Sequence, residues 1–213
     1  MKFYFAKTPG IIQKIFSDYT WKIAEKKDKS LSQSREIYLT FDDGPIPEIT
    51  PWVLNTLEKY QAKATFFCVG DNIQKHPAIF QELLKKGHGI GNHTFNHLNG
   101  WKTSNETYFE NIEKTEKAVR HSKLFRPPYG KIKISQAKAL INKGYKIIMW
   151  DVLSADYDQN ISPEECLQNV INNAQNGSIV VFHDHVKAFE NLKYALPKTL
   201  AYFIEKGYEF KAL

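Results

Sequence analysis

Apolar residues occur along the chain in short continuous runs that alternate with longer segments in which they recur every three or four positions. Runs of the first kind predict β-strands, and segments of the second kind predict amphipathic helices. Seven strands are predicted, at residues 36–41, 64–70, 88–94, 124–129, 145–152, 178–184 and 208–213. Helices are predicted at Thr50 to Tyr60, near 73–86, at Asn105 to His121, near 134–143, at Ser162 to Ile171 and near 190–206.

Turn and capping residues mark the ends of several of these elements. Four glycines directly precede a predicted strand: Gly87, Gly144, Gly177 and Gly207. Glycine just past a helix end adopts the left-handed conformation that satisfies the last carbonyl groups. At the other end, Thr50 followed by Pro51 predicts a helix cap. Ser162, with Glu165 three residues later, predicts a capping box.

The order of these elements predicts an α/β fold with parallel strands joined by right-handed crossovers. An open sheet and a distorted (β/α) barrel of about seven strands both fit the pattern. The chain has 213 residues, which suits a single domain. We expect residues 1–35 to form an N-terminal extension, with a helix packed on the body of residues 36–213, as suggested by Ile11, Ile12, Ile15, Phe16 and Trp21.

Composition narrows the class of protein. The hydrophobic fraction of 42% and the aromatic fraction of 14% are typical of a globular protein. No apolar run approaches the roughly 18 residues that a membrane span needs. The first 30 residues lack the features of a secretory signal. We therefore expect a cytoplasmic protein without a membrane partner.

The net charge of +6 raises the question of a nucleic-acid partner. The lysines fall mostly on helix faces, without a basic block that has interleaved aromatic residues, so the pattern predicts no nucleic-acid binding. A mildly basic surface suits an anionic glycan equally well. The two cysteines, Cys68 and Cys166, form neither a disulfide framework nor a zinc-ligand spacing.

Charged residues and histidines follow the carboxyl ends of the predicted strands, where α/β proteins place their functional groups. These residues are Asp42, Asp43, His93, His97, Arg126, Tyr129, Asp151, Asp156, His183, Asp184 and His185. Each motif also has a purely structural interpretation as a turn or as a solvated strand end. Independent turns have no reason to place every unusual group on one edge of a sheet, so the combination predicts an enzyme.

The chemistry of the first two motifs predicts a metal site. Asp42 and Asp43 are adjacent carboxylates that repel each other, and a bound cation relieves this repulsion. His93 and His97 are four residues apart, so on a helical turn both imidazoles point to one metal. One carboxylate and two imidazoles leave coordination positions open, as in catalytic sites. The second carboxylate is then available as a general base.

These motifs, in this order, resemble those of the polysaccharide deacetylase family of carbohydrate esterases, which includes chitin, peptidoglycan and chitooligosaccharide deacetylases. The resemblance rests on five segments and covers residues 36–213. The segments are Thr40 to Pro45, His93 to His97, Arg126 to Gly130, Asp151 to Tyr157 and Phe182 to His185. It implies a distorted barrel and a catalytic domain. It also implies a metal-dependent hydrolase that removes the N-acetyl group from an N-acetylglucosamine-type sugar or oligosaccharide.

The resemblance assigns a role to each matching position. It implies that Asp43, His93 and His97 hold a divalent metal, commonly Zn²⁺, with other transition metals also used in the family. It implies that Asp42 is the general base that activates the attacking water. Arg126 would pair with Asp42 and set its orientation.

Further residues would serve the leaving group and the oxyanion. The resemblance implies that His183 is the general acid, with Asp156 holding its imidazole, and that the backbone N–H of Tyr129 stabilises the oxyanion. His185 is two residues beyond His183, so strand alternation leaves open which of the two is the acid.

Several alternatives remain open at this stage. Tyr157 stands where the family usually has Trp, and Val181 stands where it usually has Leu. Both changes are conservative, so acetyl is the expected acyl group, with formyl and other small acyl groups as alternatives. O-acetyl glycans, formamido sugars and small cyclic amides are alternative substrates, and a non-catalytic carbohydrate-binding protein is a further alternative. Trp101 offers a face for sugar stacking or for packing. The oligomeric state does not follow from the sequence.

Overall fold

Eight β-strands pair in one sheet in the computed structural model, which describes residues 4–24, 35–119 and 122–213. The strands are β1 (Arg35–Asp42), β2 (Ala64–Cys68), β3 (Gly89–Asn92), β4 (Leu124–Phe125), β5 (Lys146–Ile147), β6 (Val152–Leu153), β7 (Ile179–His183) and β8 (Tyr208–Phe210). The helices are α1 (Gly10–Ile15), α2 (Ile49–Lys59), α3 (Gly70–Lys75), α4 (Pro77–Lys85), α5 (Asn105–Glu116), α6 (Ile134–Asn142), α7 (Pro163–Ile171) and α8 (Phe189–Glu205).

The strand order is β5-β4-β3-β2-β1-β7-β6, and β8 pairs with the first residues of β1. Every strand pair in the described residues is parallel. The sheet curls into a half-barrel surrounded by helices. The predictions of an α/β fold and of a distorted barrel are therefore confirmed.

The core is densest around β1, whose last six residues are buried. A central strand of a parallel sheet is covered on both faces, which explains its nearly continuous apolar sequence. On one of these faces, the Phe41 ring stacks on Phe66 and Phe182, with centroid distances of 5.0 and 6.1 Å. This packing fixes the position of β1, and so of Asp42 at its end and of Asp43 directly after it.

The predicted strand at 145–152 is wrong in one respect, because it consists of two short strands, β5 and β6. The chain between them is held by other partners. Arg126 Nε donates to the carbonyl oxygen of Ile148 at 3.2 Å, and Nη2 donates to that of Met149 at 2.9 Å. Because a buried side chain takes these carbonyl groups, they are not available to a neighbouring strand.

Two helix predictions also need correction. The helix predicted near 73–86 is two helices, α3 and α4, which meet at Pro77, a residue that disfavours helical conformation just before it. Thr50 is not a cap: α2 begins at Ile49, and the Thr50 hydroxyl accepts the N–H of Ile46 and donates to Asp184.

Other boundaries agree more closely with the prediction. The capping box at the start of α7 is confirmed, with the Ser162 hydroxyl accepting the N–H of Glu165. The helix that begins at Asn105 ends at Glu116, and its predicted end at His121 lies outside the described residues.

The N-terminal segment 4–24 lies across the gap between β5 and β6. Its residues form isolated bridges with both sides: Lys7 pairs with Val152, and Thr20 pairs with Ile148. The Lys7 ammonium also donates to Asp151 at 2.6 Å. The α1 residues Ile11 and Ile15 are 64% and 66% exposed, so backbone pairing holds this segment more than the apolar face of its helix does.

No helix within residues 4–24, 35–119 and 122–213 is both long enough and apolar enough to cross a membrane.

Candidate active site

Three side chains that could hold a metal ion converge at the carboxyl ends of β1 and β3. Asp43 directly follows β1, and His93 directly follows β3. The nearest ligand atoms of Asp43, His93 and His97 all lie within 4.8 Å of one another. Asp43 Oδ1 is 3.7 Å from His93 Nε2 and 3.1 Å from His97 Nε2. The grouping of these three residues agrees with the metal site expected from the sequence.

The two histidines reach this point by a different route from the expected helical turn. Residues 93–97 form a loop, in which Thr94 and His97 have φ angles of 61° and 55°. Asp43 has a φ angle of 86°. Non-glycine residues in this region cost energy and are concentrated at functional sites. The surrounding structure therefore maintains a strained backbone that brings the three ligands together.

The Nδ1 atom of each imidazole already has a hydrogen-bond partner, so Nε2 is the atom available to a metal. His93 Nδ1 lies 2.8 Å from the carbonyl oxygen of Arg126, so Nδ1 carries the proton and Nε2 carries the lone pair. His97 Nδ1 lies 3.0 Å from the hydroxyl of Tyr129. Such outer contacts orient metal-binding histidines.

A divalent transition metal fits this donor set. Asp43 Oδ1 is buried and has no hydrogen-bond partner of good geometry among the described residues. A buried acceptor of this kind costs free energy unless a cation or donor meets it. One carboxylate and two imidazoles are the ligands found in catalytic zinc sites.

The electrostatics favour the protonation states of Asp43 and His93 that bind a metal. Burial lowers the pKa of His93 to about 4, which keeps its imidazole neutral. Burial raises the pKa of Asp43, but the hydrogen bond from His97 and the charge of His183 outweigh it, and the net pKa is below its ordinary value. A neutral imidazole beside an ionised carboxylate is the combination that binds a metal.

Asp42 lies beside this cluster and is held by a fully buried arginine. Arg126 Nη1 donates to Asp42 Oδ1 and to the Thr40 hydroxyl, both at 2.7 Å. The guanidinium also lies 4.2 Å from the centroid of the Phe67 ring. Burial lowers the pKa of Arg126, against the charge of Asp42, which raises it. The ion pair is fully enclosed and fixes the orientation of the Asp42 carboxylate.

A second pair forms at the end of β7. His183 Nδ1 lies 2.8 Å from Asp156 Oδ1, and the His183 backbone N–H donates to Asp156 Oδ2 at 2.7 Å. Burial lowers the pKa of His183, but the charge and hydrogen bond of Asp156 outweigh it and raise the pKa to about 9. The imidazole is therefore protonated at neutral pH and is able to donate a proton.

His183 and His185 have different hydrogen-bond partners, which favours His183 as the candidate acid. The His185 ring accepts the N–H of Lys187 and caps the short helix Val186–Ala188. It makes a local turn contact, whereas His183 contacts Asp156. Asp151 is also outside the cluster, because its carboxylate binds Lys7 and Ser178.

Sequence analysis did not identify the residues that support the Asp42–Gly44 turn. Asp184 is fully buried and accepts the N–H of Gly44 at 3.0 Å, and its own N–H donates to the Asp42 carbonyl at 3.1 Å. Asn72 donates to the Asp43 carbonyl at 2.7 Å. A Cβ on Gly44 would lie 1.9 Å from the Asp184 carboxylate, so glycine is required there. Asp184 was visible in the sequence as a polar strand end, but its partners are distant in sequence.

Tyr129 lies at the edge of the site, in the turn after β4. It has a φ angle of 61° and is 61% exposed. Its ring packs against His97 with a centroid distance of 4.5 Å. The side chain thus contacts a candidate metal ligand, which was not predicted, while the expected role of the Tyr129 backbone N–H stays a prediction.

Comparisons with known proteins point to one family. The family model described as polysaccharide deacetylase matches residues 29–148. A peptidoglycan-N-acetylglucosamine deacetylase of Bacillus cereus is 36% identical over 90% of this chain and 89% of its own length. A chitooligosaccharide deacetylase of Azorhizobium caulinodans is 36% identical over 70% of this chain and 73% of its own length.

Solved structures agree with this result. A crystal structure of a peptidoglycan N-acetylglucosamine deacetylase, in complex with 4-naphthalen-1-yl-N-oxidanyl-benzamide, superimposes with a TM-score of 0.84. It is 32% identical in sequence, and the match covers 94% of each chain. The match therefore extends over nearly the whole half-barrel.

Proposed function

The chain belongs to the polysaccharide deacetylase family, and from this we propose that it is a metal-dependent hydrolase that removes N-acetyl groups from N-acetylglucosamine-type glycans. One observation supports the proposal most strongly. The Asp43, His93 and His97 cluster lies beside two oriented pairs, Asp42 with Arg126 and His183 with Asp156. These pairs provide a base and an acid at one site, as amide hydrolysis requires.

In this proposal the metal is zinc, held by Asp43, His93 and His97. The chemistry that zinc supplies when bound is Lewis acidity, toward the amide carbonyl oxygen and toward the attacking water. The chain's own contribution is to hold the ligands: the Arg126 carbonyl orients His93, and the Tyr129 hydroxyl orients His97.

Asp42 is the proposed general base. Its Oδ1 accepts from Arg126, so the carboxylate keeps one orientation and its other oxygen remains available to take a proton from water. The water then adds to the amide carbonyl carbon and forms a tetrahedral intermediate. The backbone N–H of Tyr129 is the proposed donor to the oxyanion of that intermediate.

His183 is the proposed general acid. Its Nδ1 proton is held by Asp156, so Nε2–H is the proton that passes to the amine nitrogen as the carbon–nitrogen bond breaks. The raised pKa of about 9 keeps this proton in place at neutral pH. An amine is a poor leaving group unless it is protonated, so this proton meets a requirement of amide hydrolysis.

The test is acetate release from N-acetylglucosamine oligomers by chelator-treated protein, with and without added zinc or cobalt, alongside Asp42→Asn. We expect release only with metal, and its loss in the variant. Release that survives complete metal removal would contradict the proposal. Glycan binding without release, unaltered by chelation, would instead indicate a non-catalytic carbohydrate-binding protein.

A parallel set of substrates tests which acyl group and which type of bond the protein hydrolyses. O-acetylated glycans, formamido sugars and small cyclic amides are assayed with the same metal-loaded protein. Faster hydrolysis of any of these than of the N-acetyl oligomers would move the assignment to that substrate.

A further inference from the structure

Both segments that carry the candidate metal ligands have strained backbone. Asp43 has a φ angle of 86°, and in the loop 93–97 Thr94 and His97 have φ angles of 61° and 55°. Such conformations persist only where surrounding contacts impose them. The contacts that hold the two segments therefore determine whether the ligand atoms meet at one point.

Asn111, on α5, holds the loop that carries the two histidines. Its Oδ1 accepts the backbone N–H of Phe95 at 2.7 Å and that of Asn96 at 2.9 Å. Its Nδ2 donates to the side-chain oxygen of Asn96 at 3.0 Å. The two backbone N–H groups lie between His93 and His97 in the sequence. Asn111 therefore fixes the middle of the loop, and it does so mainly as a hydrogen-bond acceptor.

Asn72, on α3, holds the other ligand segment with the opposite polarity. Its Nδ2 donates to the backbone carbonyl oxygen of Asp43 at 2.7 Å. Just before this helix, the Val69 N–H donates to the carbonyl oxygen of Gly44 at 3.0 Å. Asn72 therefore fixes the peptide that follows Asp43, and it does so as a hydrogen-bond donor.

The start of α3 is bonded to both ligand segments. The N–H groups of Gly70 and Asp71 donate to the carbonyl oxygens of Thr94 and Phe95, both at 3.0 Å. These are backbone contacts, so they remain when a neighbouring side chain is changed. Substitution of either asparagine thus removes one support from a ligand segment and keeps the others.

We propose that Asn72 and Asn111 are positioning residues for the metal. Neither belongs to the cluster of Asp43, His93 and His97, and each acts through the strained backbone of a segment that carries these ligands. Ligands that are held in place before the metal arrives bind it more tightly, because less ordering is required on binding. The inference rests on the proposed function for the presence of a metal at this cluster.

The test is the affinity of the full chain for zinc, measured without substrate by competition with a chelator. We expect Asn111→Ala to weaken zinc binding about 10- to 100-fold, as is found when outer contacts of metal ligands are lost. The absorption spectrum of the cobalt-loaded variant should also change, because it reports the coordination geometry.

Thermal unfolding separates positioning from a merely structural role. If Asn111 positions the ligands, zinc should raise the melting temperature of Asn111→Ala less than that of wild type, because this rise depends on zinc affinity. If Asn111 only stabilises the fold, the variant should unfold at a lower temperature without metal and bind zinc as wild type does.

Substitution by aspartate tests the polarity of each contact. Asn111→Asp keeps an oxygen that accepts the Phe95 and Asn96 N–H groups, so its zinc affinity should stay within about threefold of wild type. Asn72→Asp replaces a donor by an acceptor that faces the Asp43 carbonyl oxygen. It should weaken zinc binding at least as much as Asn72→Ala.

Asn172→Ala is the matched control, because the Asn172 amide is exposed and donates to Gln168 within α7. It should leave zinc affinity unchanged. If Asn111→Ala does not fold, the two Asn72 variants test the same inference at the other ligand segment.

Wild-type zinc affinity in Asn72→Asp and in the alanine variants would overturn the inference. Acetate release by the wild-type protein is measured separately. Zinc affinities that follow the expected pattern without acetate release would refute the proposed function and leave the positioning roles standing. Metal-dependent acetate release with unchanged zinc affinities would refute the positioning roles alone, and a wild-type protein that binds no metal would refute both.

Discussion

The carbonyl oxygen of Arg126 lies 2.8 Å from His93 Nδ1, while the guanidinium of the same residue lies 2.7 Å from Asp42. One residue thus orients a metal ligand with its backbone and the proposed base with its side chain. This double contact couples the positions of the two groups. It also allows the two functions to be separated by mutation, because a substitution changes the side chain and keeps the carbonyl.

We predict that Arg126→Lys lowers kcat/KM about 100-fold, because a lysine cannot reproduce the planar fork of donors that fixes Asp42. Metal affinity, measured by competition with a chelator, should change by less than about threefold, since the backbone contact to His93 remains. A loss of metal binding equal to the loss of activity would show that the side chain also maintains the metal cluster.

We predict that Asp156→Asn moves the alkaline limb of kcat/KM to lower pH. Burial lowers the pKa of His183, and the charge of Asp156 raises it to about 9. Removing that charge lowers the pKa, so the proposed acid loses its proton earlier as pH rises. His185→Gln serves as the control and should leave the profile unchanged. A pH profile of Asp156→Asn identical to that of wild type would remove His183 from the role of acid.

We predict that the wild-type protein loses stability relative to Asp184→Asn as pH rises from about 4 to 8. Burial raises the pKa of Asp184 to about 8, so in this range the folded state binds a proton that the unfolded state lacks. The difference between the free energies of unfolding of the two proteins should change by at most about 1.4 kcal/mol per pH unit.

The measurement for Asp184 is the free energy of unfolding of the metal-free proteins by urea at several pH values. The amide of the variant still accepts the Gly44 N–H and still contacts Thr50, so the geometry of the turn is preserved. Parallel stability curves for the two proteins would show that Asp184 is ionised in the folded state throughout this range.

We predict that Tyr129→Phe weakens metal binding about tenfold, because the hydroxyl contact that orients His97 is lost. The backbone N–H is retained, so kcat with saturating metal should remain near the wild-type value. Tyr194→Phe is the matched control, since its hydroxyl binds Glu164 at an exposed position on α8. Unchanged metal affinity in Tyr129→Phe would indicate that the His97 contact is incidental.

Much of the site was predictable because its residues are unusual where they occur. Carboxylates and histidines directly after apolar strands have few structural explanations, so Asp43, His93 and His183 were identified from the sequence. The geometry was less accessible. His93 and His97 meet through a strained loop rather than a helical turn. A spacing of four residues fits both conformations, so the sequence alone did not distinguish them.

The errors in the fold share a physical cause. The split between β5 and β6 depends on the Arg126 side chain, and the misassigned cap at Thr50 depends on Asp184. In both places a contact between residues distant in sequence overrides a local preference. Local periodicity and capping rules carry no information on such contacts.

The N-terminal segment has a consequence for the order in which the protein is made. Lys7 and its partner Asp151 are 144 positions apart, so the segment leaves the ribosome long before the strands that receive it. Until residues 145–153 have been made, the backbone N–H and C=O groups of the segment lack their partners. The strand edges at β5 and β6 likewise stay unpaired until the segment binds there. Contacts of such long sequence separation form slowly and late. This segment is therefore translated before the strands that it pairs with but reaches its place only after them, and nascent chains are most exposed to mispairing at that stage.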